Sequence, residues 1–243
     1  MNRQTIITPL GTVSIDGKLN GNHNIAYIPE LFGDVLPIEE IRNFITCSII
    51  LPGYKDAELN PNSNGTMLTW KEYGRCVATA LKSINKPFVL VGSSKGAMIA
   101  IYTASIVPNL VTKLVLYRIP RFQHLRKNLQ KKYSSIAQSI TNEDKFCSFL
   151  DKIRDNTSSE ILNNLEHSGW EISKKLYMGA SVSELEIEVL RSVTQPILLL
   201  ELDVLYDELH PKEALDNLLN YKSNKNIKKI DNIEKAFIVS PEN

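Results

Sequence analysis

Short, almost uninterrupted apolar runs recur along this chain, separated by segments of helical period. IAYIPEL (25–31), ITCSIIL (45–51), PFVLVG (87–92), KLVLY (113–117) and QPILLLEL (195–202) are of this kind. A strand covered on both faces has no polar side to display, so continuous runs of this length mark buried, parallel strands. Between them PIEEIRNFI (37–45), a stretch from about Trp70 to Ile84, KGAMIAIYTASIV (95–107) and PKEALDNLLNY (211–221) have helical period. Thr69 with Glu72 three residues on is a capping-box pair, and Pro211 opens the last helix at its first turn. TVSIDGKL (12–19) alternates as a half-exposed edge strand does, and NIKKIDN (226–232) reads as a last short strand. The pattern predicts an α/β protein whose mostly parallel, twisted sheet has helices on both faces.

One long stretch departs from this alternation. Residues 120–194 contain FQHLRKNLQKKYSSIAQSI, DKFCSFLDKIRD and SSEILNNLEHSGWEISKKLYMGA, all helical in pattern, and no strand signal. They predict a helical cap inserted into a core made of residues 1–119 and 195–243. Such a cap would lie over the C-terminal ends of the strands, the edge where open α/β sheets bind ligands.

Composition narrows the function classes. A formal net charge of +1 gives no general attraction to nucleic acid or to an anionic membrane, so neither is an expected partner. The basic pairs Arg126-Lys127 and Lys131-Lys132 sit at helical spacing and read as a solvated helix face. No apolar run reaches the ~18 residues that span a bilayer, and the N-terminus has no signal-peptide core, so a cytoplasmic location is expected. Cys47, Cys76 and Cys147 are widely spaced in apolar contexts and read as reduced, buried small hydrophobes. No His/Cys/Asp set has ligand spacing, and GSSKG lacks the phosphate-loop pattern, so neither a metal nor an organic cofactor is expected.

GSSKG (92–96) carries the chemistry. It is a G-x-S-x-G sequence that directly follows a strand pattern and directly precedes a helix pattern, the setting of a nucleophile elbow. In such an elbow the serine occupies a strained turn at the top of the sheet, and the positions two before and two after it must be small. Gly92 and Gly96 meet that condition around Ser94. The backbone N–H of Lys95, at the helix start, would then face a developing oxyanion.

With these residues in place the chain resembles the α/β-hydrolase family, of the capped serine-hydrolase type, over nearly its whole length. ILPGYKD (50–56) is similar to the family's strand-four exit, D-x-x-G-x-G-x-S, with Ile50 at the Asp position. QPILLLEL followed by DELHP (207–211) is similar to the acid-bearing strand and turn, and MGASVSELEIEVLRSVTQPILLL (178–200) to the junction from cap to core. The resemblance implies Ser94 as nucleophile and Asp207 as triad acid, with Asp203 as the alternative acid. It also implies Leu31 as a second backbone oxyanion donor and a small-molecule carbonyl substrate.

The same comparison leaves the base unassigned. Family members carry the histidine after the last strand, where this chain has Glu234-Lys235. Lys235 is therefore the candidate base by position, although neighbouring carboxylates would favour its charged form. His210 is read as a structural residue of the acid-bearing turn, His124 and His167 as packing or solvent-exposed residues of the cap, and His23 as unrelated to the site. Glu30 stands in the oxyanion loop, where its charge would oppose an oxyanion. Three functions fit this degraded triad. One is a hydrolase of a small ester, thioester or related carbonyl compound with reduced or atypical activity. The others are a non-catalytic homologue that binds a ligand or protein, and a lyase or cyclase on the same fold.

Overall fold

A computed structural model describes residues 2–19, 24–33, 37–60, 67–122, 126–201, 207–221 and 226–237. Its strands are β1 (Asn2–Thr8), β2 (Gly11–Gly17), β3 (Asn24–Ile28) and β4 (Cys47–Ile50). They continue with β5 (Phe88–Ser93), β6 (Val111–Tyr117), β7 (Ile197–Leu200) and β8 (Ile227–Ile230). All eight form one sheet in the order β1-β2-β4-β3-β5-β6-β7-β8. From β4 to β8 every neighbouring pair is parallel, while β1 and β2 add an antiparallel edge.

The expected α/β architecture is therefore present, with one correction at the edge. β2 is not the edge strand; β1 lies outside it, paired from Asn2–Gly17 to Thr8–Gly11. The sequence hides β1 because its side chains are almost all exposed, so neither an apolar run nor an alternation announces it.

Side chains of the central strands alternate between two cores, as a sheet covered on both faces requires. Leu90, Leu114, Leu116, Ile197 and Leu199 point into the larger core, with α2 (Trp70–Ile84) and α3 (Lys95–Ile106). Val91, Val115, Tyr117, Leu198 and Leu200 point into the smaller one, closed by α1 (Glu39–Arg42) and a helix at Ile233–Phe237. Each such aliphatic side chain contributes about 1.5–3 kcal/mol by burial. Thr69 caps α2 as expected, its side chain accepting from Glu72 N–H at 3.2 Å.

Between β6 and β7 the described residues hold helices and no strand: α4 (Lys127–Ser139), α5 (Glu143–Ile153), α6 (Ser159–Val182) and α7 (Ile187–Ser192). Gly169, with φ 72° and ψ 174°, breaks α6 into two helical pieces. The helix after β7 is α8 (Lys212–Leu219), and the one at Ile233–Phe237 is α9. Lys127, Lys131 and Lys132 are exposed as expected, but Arg126 is buried at 3% exposure, a departure from the solvated face. Cys47 and Cys76 are buried free thiols, whereas Cys147 is exposed on α5, contrary to expectation. Among the described residues no helix is long and apolar enough to cross a membrane, and no group of His, Cys, Asp and Glu is placed to hold a metal.

The strand order reverses direction between β3 and β5, because the chain steps from β3 outward to β4 and returns on the other side. The loops leaving β3 and β5 consequently diverge, and the crevice between them opens at the C-terminal edge of the sheet. GSSKG leaves β5 at that crevice, and Glu30-Leu31 leave β3 beside it.

Candidate active site

Ser94 occupies the turn between β5 and α3 with φ 51° and ψ −116°, a conformation that L-residues avoid. The turn is tight because its flanks have no side chains. A Cβ on Gly92 would lie 2.6 Å from Gly96 O, and one on Gly96 would lie 2.1 Å from Ile28 O and 2.8 Å from Pro29 O. These contacts are with backbone, which cannot rotate away. The small residues at 92 and 96 thus allow β3, β5 and α3 to meet, and the strained turn lifts Ser94 out of the sheet.

The second element is the turn at 207–210, which follows β7 and precedes α8. Asp207 Oδ1 accepts the N–H of Leu209 at 2.7 Å and of His210 at 2.9 Å, folding the turn around its own side chain. Two bonds from Arg121 pin the turn to the segment after β6: its N–H donates to Leu209 O at 3.1 Å and its Nε to Glu208 O at 2.9 Å. So held, His210 is 4% exposed. Its Nδ1 lies 2.9 Å from Asp207 Oδ1 and 3.0 Å from Oδ2, and its Nε2 lies 2.7 Å from Ser94 Oγ. A carboxylate on Nδ1 makes that nitrogen the donor and leaves Nε2 as the acceptor for the serine hydroxyl.

Electrostatics favour the neutral imidazole. Burial, and then the charge of Arg118, push the His210 imidazole below its usual 6.5, against the pull of Asp207. Burial alone would lift the Asp207 carboxyl, but bonds and charge from His210, with Arg118, outweigh it and bring it down to about 2. At neutral pH the pair is a neutral imidazole on an ionised carboxylate.

Arg118, just beyond β6, links the two halves of the site. The pairing of Ser93 with Tyr117 brings it alongside Ser94, and it too has a positive φ, 49°. Its Nη2 donates to Asp207 Oδ2 at 2.9 Å and lies 3.4 Å from His210 Nδ1, while Nη1 lies 3.1 Å from Glu30 Oε2. Glu30 is therefore ion-paired, which offsets the charge expected to oppose an oxyanion. Burial raises its carboxyl, and Arg118 acts the other way.

Ser94, Lys95, Leu31 and His210 all line one cavity of about 370 Å³, closed by Leu129, Phe149 and Tyr177 of the helices between β6 and β7. Lys95 N–H, at the first position of α3, belongs to the turn whose donors have no acceptor within the helix. The Lys95 side chain is buried; its Nζ donates to Tyr54 Oη at 3.0 Å and lies 3.9 Å from the Tyr73 ring centroid. Burial drives this amine well below its ordinary pKa.

Of the residues singled out in the sequence, the structure brings together Ser94, Asp207, Lys95 and Leu31. Lys235 is not with them. It is exposed on α9, its backbone N–H donating to Asn232 Oδ1, and it is not among the residues lining the cavity. The residue at hydrogen-bond distance from Ser94 is His210, which the sequence reading places only as a structural residue of its turn. His167 is exposed. His23, His124 and Asp203 lie outside the described residues. Sequence reasoning set His210 down as a structural residue of the acid-bearing turn, although Asp207-x-x-His210 is a spacing that a single turn closes. It missed Arg118 because strand register, not residue type, brings it beside Ser94.

No family model and no curated protein matches the chain. Solved structures do match over most of its length. A thermophilic esterase from Thermogutta terrifontis superposes with a TM-score of 0.66 at 15% identity, covering 94% of this chain and 89% of that one. An enol-lactonase from Burkholderia xenovorans gives 0.67 at 11% identity over 91% and 88%. An α/β hydrolase from a Medee basin deep-sea metagenome library gives 0.66 at 13% identity over 93% and 88%. The chain has the α/β-hydrolase fold.

Proposed function

We propose that this protein is a serine hydrolase of small esters, thioesters or related carbonyl compounds, with Ser94, His210 and Asp207 as its triad. The observation that carries this reading is the chain of contacts Ser94 Oγ to His210 Nε2 at 2.7 Å and His210 Nδ1 to Asp207 at 2.9 Å. Nucleophile, base and orienting acid are in hydrogen-bond reach, in the order that acyl transfer needs.

In the first half-reaction Ser94 Oγ attacks the carbonyl carbon while its proton passes to His210 Nε2. Asp207 stabilises the imidazolium and holds its Nδ1–H. The negative charge moves to the carbonyl oxygen, where the N–H groups of Lys95 and Leu31 would receive it. Collapse expels the alcohol or thiol, which takes the proton from His210 and leaves an acyl-serine. Water then attacks with His210 as base, Ser94 Oγ leaves with that proton, and the acid is released. Helices α4 to α7, within residues 120–194, serve as the cap that selects the substrate. The esterase and the enol-lactonase, by their names, cleave carbonyl–oxygen bonds on the same fold. The non-catalytic alternative drew on the absent base together with Pro29-Glu30 in the oxyanion loop and Ile50 at the strand-four Asp. The place of His210 beside Ser94 speaks against the first of these.

Treatment with a fluorophosphonate probe is expected to label the protein at Ser94 and to abolish hydrolysis of short-chain activated esters. Both labelling and turnover should vanish in Ser94→Ala. Absence of labelling from pH 6 to 10 would sink the proposal.

A further inference from the structure

Arg126 stands immediately before α4, in the wall of the cavity that Ser94 lines, and is 3% exposed. Its guanidinium carbon lies 4.2 Å from the Trp70 ring centroid and 5.9 Å from that of Tyr133. Backbone carbonyls fix its orientation: Nε donates to Ser183 O at 2.8 Å, Nη2 to Ala180 O at 2.5 Å and Nη1 to Arg121 O at 3.3 Å. None of these acceptors carries a charge. Among the described residues it has no ion pair; Glu184, whose charge it feels, is exposed and forms no bond with it.

This is costly on its own. A buried guanidinium without a carboxylate loses hydration that neutral carbonyls only partly replace. Burial accordingly pushes Arg126 down to about 10. Among the described residues the rest of the cavity lining supplies no free counter-charge. The described basic residues lining it are Lys95, Arg118, Arg126 and Lys132, and among the described lining residues the one carboxylate, Glu30, is already paired with Arg118. A guanidinium has five N–H donors, so the carbonyl bonds leave donors for a planar, charged acceptor.

We infer that the substrate carries a carboxylate away from the reacting carbonyl, and that Arg126 receives it. The ligand class is the monoester or monothioester of a short dicarboxylic acid. The carboxylate lies against Arg126 and the apolar chain between the two ends against Leu129 and Phe149. This rests on the hydrolase reading for the chemistry at Ser94, but the binding site itself does not.

Monomethyl glutarate and methyl pentanoate differ by a carboxylate in place of a terminal methyl, so they isolate the charge. Hydrolysis is followed in a pH-stat at pH 7.5. The intact protein is expected to favour monomethyl glutarate by about tenfold or more in kcat/KM, the scale of one charge-assisted hydrogen bond. Arg126→Met should remove that preference by raising KM for the acid ester far more than for methyl pentanoate, and Arg126→Lys should restore part of it. Because Arg126 also ties down backbone carbonyls, its variants could unfold, so Ser94→Ala with Arg126 intact provides an independent measurement. By calorimetry it should bind monomethyl glutarate at least about tenfold more tightly than methyl pentanoate, and less tightly as salt is raised. Equal binding or equal hydrolysis of the two esters overturns the anion site and leaves the hydrolase standing. Selective binding by Ser94→Ala, with no hydrolysis of either ester by the intact chain, supports the anion site and removes the hydrolase.

Discussion

Two turns at the same edge of the sheet build the site, and they are constrained in opposite ways. The turn after β5 is held by backbone. Gly92, Gly96 and the positive φ of Ser94 leave no room for side chains, and the serine is presented by strain. The turn after β7 is held by side chains. Asp207 accepts the N–H groups of Leu209 and His210, Arg121 fastens its carbonyls, and Arg118 braces Asp207 from the sheet. The first turn positions Ser94 where sterics permit only one geometry. The second places Asp207 and His210 within four residues of each other, so that one local fold orients both.

The largest effects should come from removing a member that both turns share in use. His210→Ala and Ser94→Ala are each expected to lower kcat/KM for an activated ester by about 10⁴-fold or more, and the double variant by no more than the worse single one. Lys235→Ala should leave the rate unchanged, since that side chain lies on α9 outside the cavity. Steady-state kinetics on the four proteins checks this. A large loss in Lys235→Ala with little in His210→Ala would break the assignment of the base.

The next contrast is in stability. Gly96→Ala places a methyl 2.1 Å from Ile28 O, against backbone that must move, and should cost at least about 1–3 kcal/mol. Glu208→Ala in the other turn removes an exposed side chain whose backbone carbonyl, the part Arg121 uses, is retained. It should change stability by less than about 0.5 kcal/mol. Urea unfolding midpoints at pH 7 measure both. Equal effects would mean that the two turns are not built differently.

That difference also explains what the sequence made legible. Strands buried on both faces and a glycine-flanked serine follow from sterics and burial, which act on residue type at fixed spacing. The sheet from β3 to β8, the capped α2 and Ser94 with its flanks could therefore be anticipated. β1 could not, because an exposed edge strand is paid for by its hydrogen bonds to β2 and leaves no apolar signature. His210 and Arg118 were hidden for a further reason. Their roles depend on where a side chain points after a turn closes or a strand pairs, and neither is written in composition or period. Arg126 shows the converse: a basic pair at helical spacing suggested a wet face, yet its first member turns inward onto Trp70.

The smallest expected effect is a shift in pH dependence, and it probes how the side-chain-held turn is tuned. If His210 is the base, as proposed, it must be neutral to accept the serine proton, so kcat/KM should rise with pH along an acid limb centred below 6.5. Arg118 is one of the two causes of that depression. Arg118→Met removes its repulsion and leaves the nearby carboxylates Asp207 and Glu30 without their counter-charge, and both changes favour the imidazolium. The limb should therefore move to higher pH, by about one unit or less. Stability follows the same sign. With the folded pKa of His210 below 6.5, the unfolded chain binds the proton more readily. The stabilisation is complete above pH 6.5 and is lost as pH falls through the folded value. Asp207 acts in a separate window: brought down from 3.8 to about 2, its contribution is present above pH 3.8 and is lost only as pH approaches 2. Arg118→Met should thus flatten the fall in urea midpoint between pH 7 and pH 5. A limb that moves to lower pH, or a fall that steepens, would show that Arg118 does not hold His210 neutral and that the acid-bearing turn is tuned from elsewhere.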